Sequence, residues 1–223
     1  MAKHIAILGA GGYAREVYLQ VKRVHKTSKL VFVDDVTDRE QVRVDGQYVP
    51  VVKDWKFDSV RWNLQSDETV EFDEFIIGVG DPRTKLAMVQ KAVENNLDPI
   101  EPLIDSDAII GDADCEIGKS TIVSAGCKVT TNVKIGDYVI LNGNITVGHD
   151  AVIGNFVSCN PGCAISGGVT LGQGVVLGAG TVVREGVTVA DGVYAGAQSC
   201  IVKDIEEPGA VIVGVPARKL DRS

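Results

Sequence analysis

The residue of this sequence best suited to proton transfer is His149. The chain contains three histidines, His4, His25 and His149, and only His149 lies in the repetitive second half of the sequence. A neutral imidazole titrates near physiological pH, so it can take a proton from an amine or a hydroxyl as that group attacks a carbonyl carbon. Considered alone, a histidine is more often an ordinary structural residue. The hypothesis of a general base therefore depends on where the fold places His149.

A second candidate site is the glycine turn near the amino terminus. Gly9, Gly11 and Ala14 match the GxGxx(G/A) pattern of a phosphate-binding strand-to-helix turn, and Asp34 follows at the distance of a ribose-binding acid. Because about 100 residues supply only half of a dinucleotide fold, a mononucleotide or a sugar nucleotide fits better than a dinucleotide. A tight turn in a purely structural domain is the remaining alternative.

His149 lies within a sequence repeat whose period is six residues, so the fold of this repeat determines where His149 is placed. An aliphatic or small residue returns at every sixth position without a break from Ile117 to Ile201, and a second series, four residues later, runs from Thr121 to Ile205. A helix would repeat its apolar face every three to four residues and an ordinary strand every two, so the period of six needs short strands joined by tight corners. This pattern predicts a left-handed parallel β-helix of about five triangular coils. The alternative is an irregular all-β domain rich in valine and glycine.

Glycine, asparagine or another small residue usually follows the first position of each repeat. Gly118, Gly136 and Gly148 are examples. We expect these residues to occupy turns with unusual backbone dihedral angles.

Residues 1–106 lack the repeat and alternate between strand and helix patterns, which predicts a small Rossmann-like α/β domain with a parallel sheet. The expected third strand covers residues 75–79. Asp81 and Pro82 form a helix start, and Leu86, Val89 and Val93 are expected on the apolar face of that helix. We predict three parts: the α/β domain (1–106), the β-helix (107–206) and a carboxyl-terminal tail (207–223).

Composition excludes several function classes. The net charge of −8 argues against nucleic acid as a partner, because binding phosphate backbones requires a basic surface. No apolar run approaches the length of a membrane span, and no targeting segment is visible, so we expect a cytoplasmic protein without membrane insertion. The five cysteines form no CxxC pair and have no second histidine nearby, so no metal site is expected.

Four segments together resemble one known family across nearly the whole chain: GAGG at residues 9–12, VDD at 33–35, LNGNITVGHD at 141–150 and VGVPAR at 213–218. The chain is similar to the sugar O- and N-acyltransferases, which include bacterial sialic acid O-acetyltransferases and the N-acetyltransferases of nucleotide-linked amino sugars such as bacillosamine and perosamine precursors. The resemblance implies a homotrimer that serves lipopolysaccharide, O-antigen or other surface glycan synthesis. It places acetyl-CoA in the groove between adjacent β-helices and the sugar nucleotide largely on the first domain.

Carried over position by position, the resemblance assigns His149 as the base, Asp150 as its acidic neighbour and Asn142 as the asparagine seven residues earlier. It also places Gly167, one coil further on, with its amide near the thioester carbonyl. The positions matching the coenzyme-lining regions are Gly178, Gly180 and the VGVPAR segment. Independently of the family, Lys203, Arg218 and Lys219 are cations of an acidic protein that could bind the coenzyme phosphates, although such residues are commonly only solvated.

In the first domain, the nucleotide-binding turn and its acidic pair match five residues: Gly9, Gly11, Gly12, Asp34 and Asp35. Many relatives have a histidine after the second glycine of GG, where this chain has Tyr13.

Other classes fit less well. A carbonic anhydrase on this fold needs three histidines for zinc. A nucleotidyltransferase needs a larger first domain, and a non-catalytic trimeric scaffold remains the alternative without enzymatic activity. Among acyltransferases, N-acetylation of an amino sugar nucleotide is preferred here, and O-acetylation of a sialic acid or another sugar is the alternative.

Overall fold

The computed structural model describes residues 4–55, 60–61, 69–111 and 114–220. The chain divides into two compact units, residues 1–80 with 84–103 and residues 81–83 with 104–223. In the part of the chain that the structure describes, no helix is both long and apolar enough to cross a bilayer.

The first unit is an α/β fold built on a six-stranded sheet with the strand order β3-β4-β2-β1-β7-β8. These strands are β1 (His4–Leu8), β2 (Lys29–Val33), β3 (Gln41–Val44), β4 (Gln47–Val52), β7 (Glu74–Ile77) and β8 (Asp98–Pro99). All neighbouring strands are parallel except β3 and β4. The remaining elements are the helices α1 (Gly12–Val24) and α2 (Pro82–Glu94) and a separate antiparallel pair, β5 (Val60–Arg61) and β6 (Thr69–Val70).

The prediction for the apolar face of α2 was largely wrong. Leu86 and Val93 are exposed, and the buried residues of this helix are Lys85, Met88, Val89 and Ala92. The true core face is therefore shifted round the helix and includes Lys85, a residue that is fully buried although a count of apolar side chains does not place it inside. The third strand also begins and ends earlier than expected, at Glu74 and Ile77.

The second unit is the predicted left-handed parallel β-helix. Two-residue strands stack on the strand 18 residues further along, as Ile140 pairs with Ser158, and form three faces. Face 1 contains Leu103–Ile104, Ile122–Val123, Ile140–Leu141, Ser158–Cys159, Val176–Leu177, Tyr194–Ala195 and Val211–Val213, with Arg218–Lys219 antiparallel at its end. Face 2 contains Ile109–Ile110, Lys128–Val129, Thr146–Val147, Ala164–Ile165, Val182–Val183 and Cys200–Ile201. Face 3 contains Glu116–Ile117, Lys134–Ile135, Val152–Ile153, Thr170–Leu171 and Thr188–Val189.

The two series of small and apolar residues fill the interior of the coils. Every first-position residue from Val123 to Ile201 is buried, and so is every second-series residue from Thr121 to Ser199. Some second-series residues also satisfy corner carbonyl groups: Thr121 Oγ1 donates to the carbonyl of Gly136 over 2.8 Å, and Cys127 Sγ to that of Asn142 over 3.0 Å. The period of six therefore encodes the core and part of its hydrogen bonding.

The prediction for the small residues after the first position needs a correction. The positive φ angles of the corners fall two residues later, for example at Asn132 (54°), Asp150 (60°) and Gly168 (65°). Glycine at position 148 serves another purpose: a Cβ atom there would overlap the amide nitrogen of Gly167 in the next coil. Close stacking of coils, and not a special dihedral angle, requires glycine at this position.

Candidate active site

His149 lies in a turn, residues 148–151, that leads from the face 2 strand Thr146–Val147 to the face 3 strand Val152–Ile153. We call the column of such turns the 2–3 corner. The imidazole is exposed, and its Nδ1 atom lies 2.8 Å from Oδ2 of Asp150. Because the ring stands at an open corner, its second nitrogen, Nε2, is available to a bound molecule.

Asp150 determines which nitrogen of His149 carries the proton. Its backbone has a φ of 60°, a conformation that aspartate tolerates better than most residues. The pKa of its carboxyl group is held below the usual value, first by a hydrogen bond from Asn132 and then by the bond to His149. An ionised carboxylate can only accept, so Nδ1–H of His149 donates to it. In the neutral ring, Nε2 then has no proton and can act as a base.

Gly167 lies one coil beyond His149, in the same column of the 2–3 corner. A Cβ atom on Gly167 would lie 2.6 Å from both Cε1 and Nε2 of the imidazole. The neighbouring amide of Gly168 donates to the carbonyl of His149 over 2.7 Å, which ties the two turns together. The absence of a side chain at position 167 is therefore what allows the ring to lie in its observed place.

The other residues predicted for the second unit are divided between two corners. Lys203 follows the face 2 strand Cys200–Ile201, three coils beyond His149 on the 2–3 corner, and is exposed. Asn142 lies at the opposite end of the strand Thr146–Val147, on the corner between faces 1 and 2, which we call the 1–2 corner. Gly178 and Gly180 lie two coils further along that 1–2 corner. Within one chain, the structure thus brings Asp150 and Gly167 to His149 but leaves Asn142 at the far edge of face 2.

Arg218 lies in the last strand, Arg218–Lys219, which pairs with Val211–Val213 on face 1. Its side chain is exposed, and Nη1 donates to the carbonyl of Ala217 over 2.8 Å. The neighbouring Lys219 is bound to Glu207 at 2.7 Å. Of these two cations, Lys219 therefore already has an acidic partner.

In the first unit, the predicted glycine turn connects β1 to α1. Gly9 has a φ of 112°, which only glycine adopts readily, and its amide donates to the carbonyl of Val33 over 2.7 Å. Helix α1 begins at Gly12 with Gly11 as its cap, without a side-chain cap and without an acidic residue in its first turn. The backbone amide groups and the dipole at the start of a helix make such a terminus suited to an anion. Tyr13 is the second residue of this helix.

The acidic pair after β2 is engaged within the protein. Asp34 accepts the amide of Ala10 at 3.0 Å through Oδ2, and the amides of Val36 and Thr37 through Oδ1. This carboxylate thus ties the glycine turn to the loop after β2. It is already occupied by three backbone donors.

The carboxylate of Asp35 accepts from Lys91 at 2.6 Å and from the indole nitrogen of Trp55 at 3.2 Å. The Lys91 ammonium group also lies 5.6 Å from the centre of the Trp55 ring. The bond from Lys91 is the main cause that lowers the pKa of Asp35. Asp35 and Lys91 therefore form a charge-balanced ion pair beside the buried Trp55, and Asp35 is not a free carboxylate.

Comparison with known proteins identifies the family. A family model described as the PglD N-terminal domain matches residues 4–92. Over nearly its whole length, the chain is similar to the acetyltransferase domain of PglB from Neisseria gonorrhoeae FA1090, with 31% identity, coverage of 98% of this chain and 100% of the other, and a TM-score of 0.83. The chain belongs to the hexapeptide-repeat family of sugar acetyltransferases.

Two further structures support this assignment of fold. The same PglB domain in complex with acetyl coenzyme A is 30% identical, with coverage of 99% and 100% and a TM-score of 0.81. PerB from Caulobacter crescentus, in complex with CoA and GDP-perosamine, is 24% identical, with coverage of 99% of both chains and a TM-score of 0.81. No match was found among curated proteins. The predicted family, fold class and acyltransferase class are confirmed.

Sequence reasoning missed one residue at this acetyltransferase's candidate site, Asn132. Its Nδ2 atom donates to Oδ1 of Asp150 over 2.6 Å. The only signal in the sequence is the separation of 18 residues between Asn132 and Asp150. This is the length of one coil, so the two residues are neighbours in the stack. A search of the turn around His149 could not find it, because the contact comes from the preceding coil.

Three of the five cysteines of this family member are buried inside the coils and are poorly suited to act as nucleophiles. Burial raises the pKa of the Cys127 and Cys163 thiols, and Cys159 is also buried. Among the described residues, no group of three or more histidine, cysteine or acidic side chains is arranged to hold a metal ion.

Proposed function

We propose that this protein is an acetyl-CoA-dependent N-acetyltransferase that acts on a nucleotide-linked amino sugar of the 4-amino-4,6-dideoxy type, in the synthesis of a bacterial surface glycan. The observation that carries the proposal is the His149–Asp150 pair, in which Nδ1 of an exposed imidazole lies 2.8 Å from the carboxylate at an open corner of the β-helix. The PglB domain, with acetyl coenzyme A, and PerB, with CoA and GDP-perosamine, provide the substrate classes by analogy.

The reaction is a direct transfer with His149 as general base. The sugar amine attacks the thioester carbonyl while Nε2 takes a proton from the nitrogen, so a C–N bond forms as negative charge develops on the carbonyl oxygen. The Gly167 amide is the proposed donor to that oxygen. Collapse of the intermediate breaks the C–S bond, and the imidazolium returns its proton to the departing thiolate. Asp150 keeps Nδ1 protonated and stabilises the charged ring.

The division of residues between two corners supports a homotrimeric enzyme. His149, Gly167 and Lys203 lie on the 2–3 corner, whereas Asn142, Gly178 and Gly180 lie on the 1–2 corner. A cleft between two parallel prisms would bring the 2–3 corner of one copy to the 1–2 corner of the next, and closed cyclic symmetry repeats this contact in every copy. Such a cleft encloses a long, flexible acyl carrier better than one flat face does.

The coenzyme would lie along this cleft, parallel to the axis of the β-helix. Stacked strands are separated by about 4.8 Å, so three coils place Lys203 roughly 14 Å along the axis from His149. A cation at that distance suits the phosphate end of a molecule whose thioester is beside the imidazole. Gly178 and Gly180, on the 1–2 corner, would line the arm between the two ends. Arg218 is the second candidate for the phosphates.

The sugar nucleotide would be held largely by the first unit. The start of α1 at Gly12 offers backbone amides to a phosphate group, and Gly11 has no atom within 4 Å of the position that a Cβ would take. Asp34 shapes the turn that presents these amides, since it binds Ala10 directly. Asp35, oriented by hydrogen bonds from Lys91 and from the buried Trp55, would offer its carboxylate near the end of β2 to the rest of the nucleotide.

The test is the release of free thiol from acetyl-CoA with a panel of acceptors: UDP-, dTDP- and GDP-linked 4-amino sugars, free sialic acid and CMP-linked sialic acid. Wild type and His149→Ala are compared at equal concentration. Turnover with one amino sugar nucleotide, lost in the variant, supports the proposal. Turnover only with the sialic acids would contradict N-acetylation and support O-acetylation. Equal turnover in the variant overturns the role of His149.

A further inference from the structure

The carboxylate of Asp150 is held from two sides by residues of two different coils. Oδ2 accepts from Nδ1 of His149 at 2.8 Å, and Oδ1 accepts from Nδ2 of Asn132 at 2.6 Å. A backbone hydrogen bond links the same two coils: the amide of Asp150 donates to the carbonyl of Thr131 over 3.1 Å. Asn132, Asp150 and His149 therefore form a linear chain of hydrogen bonds that ends at the free Nε2 atom.

The bond from Asn132 fixes an orientation that Asp150 alone would not keep. The Asp150 side chain is 57% exposed, so water competes for its oxygens. The terminal torsion of an aspartate is also broad, so the carboxylate has no strongly preferred orientation of its own. Two donors on opposite oxygens define the plane of the carboxylate. That plane in turn directs the imidazole, which lies against Gly167 with no side chain to hold it there. The amide of Asn132 also favours the ionised form of Asp150.

We propose that Asn132 is a positioning residue of the active site: it holds the Asp150 carboxylate so that His149 keeps the Nδ1–H tautomer and points Nε2 at the substrates. The inference deepens the proposed function and rests on it for the effect on catalysis. The effect on the imidazole itself does not depend on what the enzyme acetylates.

The competing explanation is that Asn132 is needed only for the backbone conformation of the corner. Its φ of 54° is a conformation that asparagine adopts more easily than most residues. Asn144 offers a matched comparison, because it has a φ of 61°, is exposed and lies on the 1–2 corner. Glycine is compatible with positive φ, so Asn132→Gly and Asn144→Gly both remove an amide without imposing strain.

The first experiment reads the imidazole directly. Histidine is labelled with 15N, the ring signals are recorded by NMR, and His149→Ala identifies the signal of His149 among the three histidines. In wild type at a pH where the ring is neutral, we expect the Nδ1–H form to predominate. In Asn132→Gly, we expect a mixture of tautomers, as in Asp150→Gly, whereas Asn144→Gly leaves the signals unchanged. An unchanged ring in Asn132→Gly overturns the inference whatever the activity.

The second experiment measures whether Asn132 acts through Asp150. With the acceptor found by the thiol-release test, we expect Asn132→Gly to lower kcat about 3- to 10-fold with nearly constant KM, because the interaction matters in the transition state. In the Asp150→Gly background, the same substitution should have almost no further effect. An equal additional loss in that background contradicts action through Asp150. If His149→Ala is fully active, the proposed function fails, and the NMR result still decides the role of Asn132.

Discussion

Gly167 lies so close to His149 that a single methyl group on Gly167 would overlap the imidazole ring. The position of that methyl group would be 2.6 Å from Nε2, well inside van der Waals contact. The backbone of Gly167 does not have a positive φ, and the three atoms nearest to an added Cβ all belong to the imidazole of His149. The glycine is thus explained by the space that the base needs.

We therefore predict that Gly167→Ala is folded but lowers kcat by about 10² or more, because the imidazole must rotate away from its working direction. Steady-state thiol release measures the loss. The matched control is the same substitution in the His149→Ala background, where the ring is absent and alanine should change neither activity nor thermal stability further. A full loss of folding in both backgrounds would assign Gly167 a purely structural role.

The His149→Ala variant is predicted to keep its fold and its oligomeric state and to lose turnover by about 10² or more, since proton transfer typically contributes a factor of this size. The exposed position of the ring explains why stability should change little. Activity is measured by thiol release, and size-exclusion chromatography with circular dichroism checks the fold. A variant that retains most of its activity would remove His149 from the mechanism.

The fold could be predicted from the sequence because small and apolar residues return at every sixth position. Leu141 and Cys159 occupy the same place in successive coils, and their burial follows from the period without knowledge of any partner. The same local reasoning failed for Gly148, whose neighbour is Gly167 in the next coil. It also failed for α2, where Leu86 and Val93 face solvent.

From the residues alone, the candidate site could be predicted only where its contacts are local, and Gly167, one coil beyond His149, was placed there by the family resemblance. His149 and Asp150 are adjacent, so their pairing was expected from the motif. Asn132 was not predicted, because its contact with Asp150 is created by stacking across 18 residues. Nor does the sequence show that Asp35 is neutralised by Lys91, a residue 56 positions away. Contacts distant in the chain depend on register and on side-chain direction, which a periodic pattern does not specify.

The ion pair in the first unit should make stability depend on pH in a defined direction. The pKa of Asp35 is lowered in the folded protein, chiefly by Lys91. Its contribution is therefore complete above the ordinary pKa of aspartate and is lost as the pH falls through the lower, folded-state value. Because the two side chains are 47% and 30% exposed, we expect Lys91→Gln to cost only about 0.5 kcal/mol at neutral pH.

This cost is measured by urea denaturation of wild type and Lys91→Gln at several pH values. The difference in unfolding free energy should shrink towards zero as the pH falls below the lowered, folded-state pKa of Asp35, where its carboxyl group is protonated in both proteins. Lys91→Arg is the control that keeps the charge. A difference that grows as the pH falls would contradict the assigned sign.

The buried thiols should be unreactive in the native protein. Cys127, Cys159 and Cys163 lie inside the coils, whereas Cys115 and Cys200 are only partly buried. Burial raises the pKa of Cys127 and Cys163, so little thiolate forms near neutral pH. We expect an alkylating reagent to modify at most Cys115 and Cys200 within minutes, with the other three modified only after denaturation. Mass spectrometry of peptides assigns the sites, and rapid labelling of Cys163 in the native state would contradict the packing.

The placement of His149 and Asn142 at opposite edges of face 2 predicts complementation between inactive chains. If a working site takes His149 from one copy and Asn142 from the next, a trimer that mixes His149→Ala and Asn142→Ala chains contains some intact sites. Every mixed trimer, whichever chain is present twice, then has one intact site of its three, so doubly tagged trimers should show about a third of wild-type activity. The chains are co-expressed with different affinity tags, and doubly tagged trimers are assayed by thiol release.

Mixing His149→Ala with the double variant His149→Ala/Asn142→Ala is the control and should restore nothing. Equal failure of both mixtures, with Asn142→Ala alone inactive, would place the two residues in the same subunit's site and contradict the shared cleft.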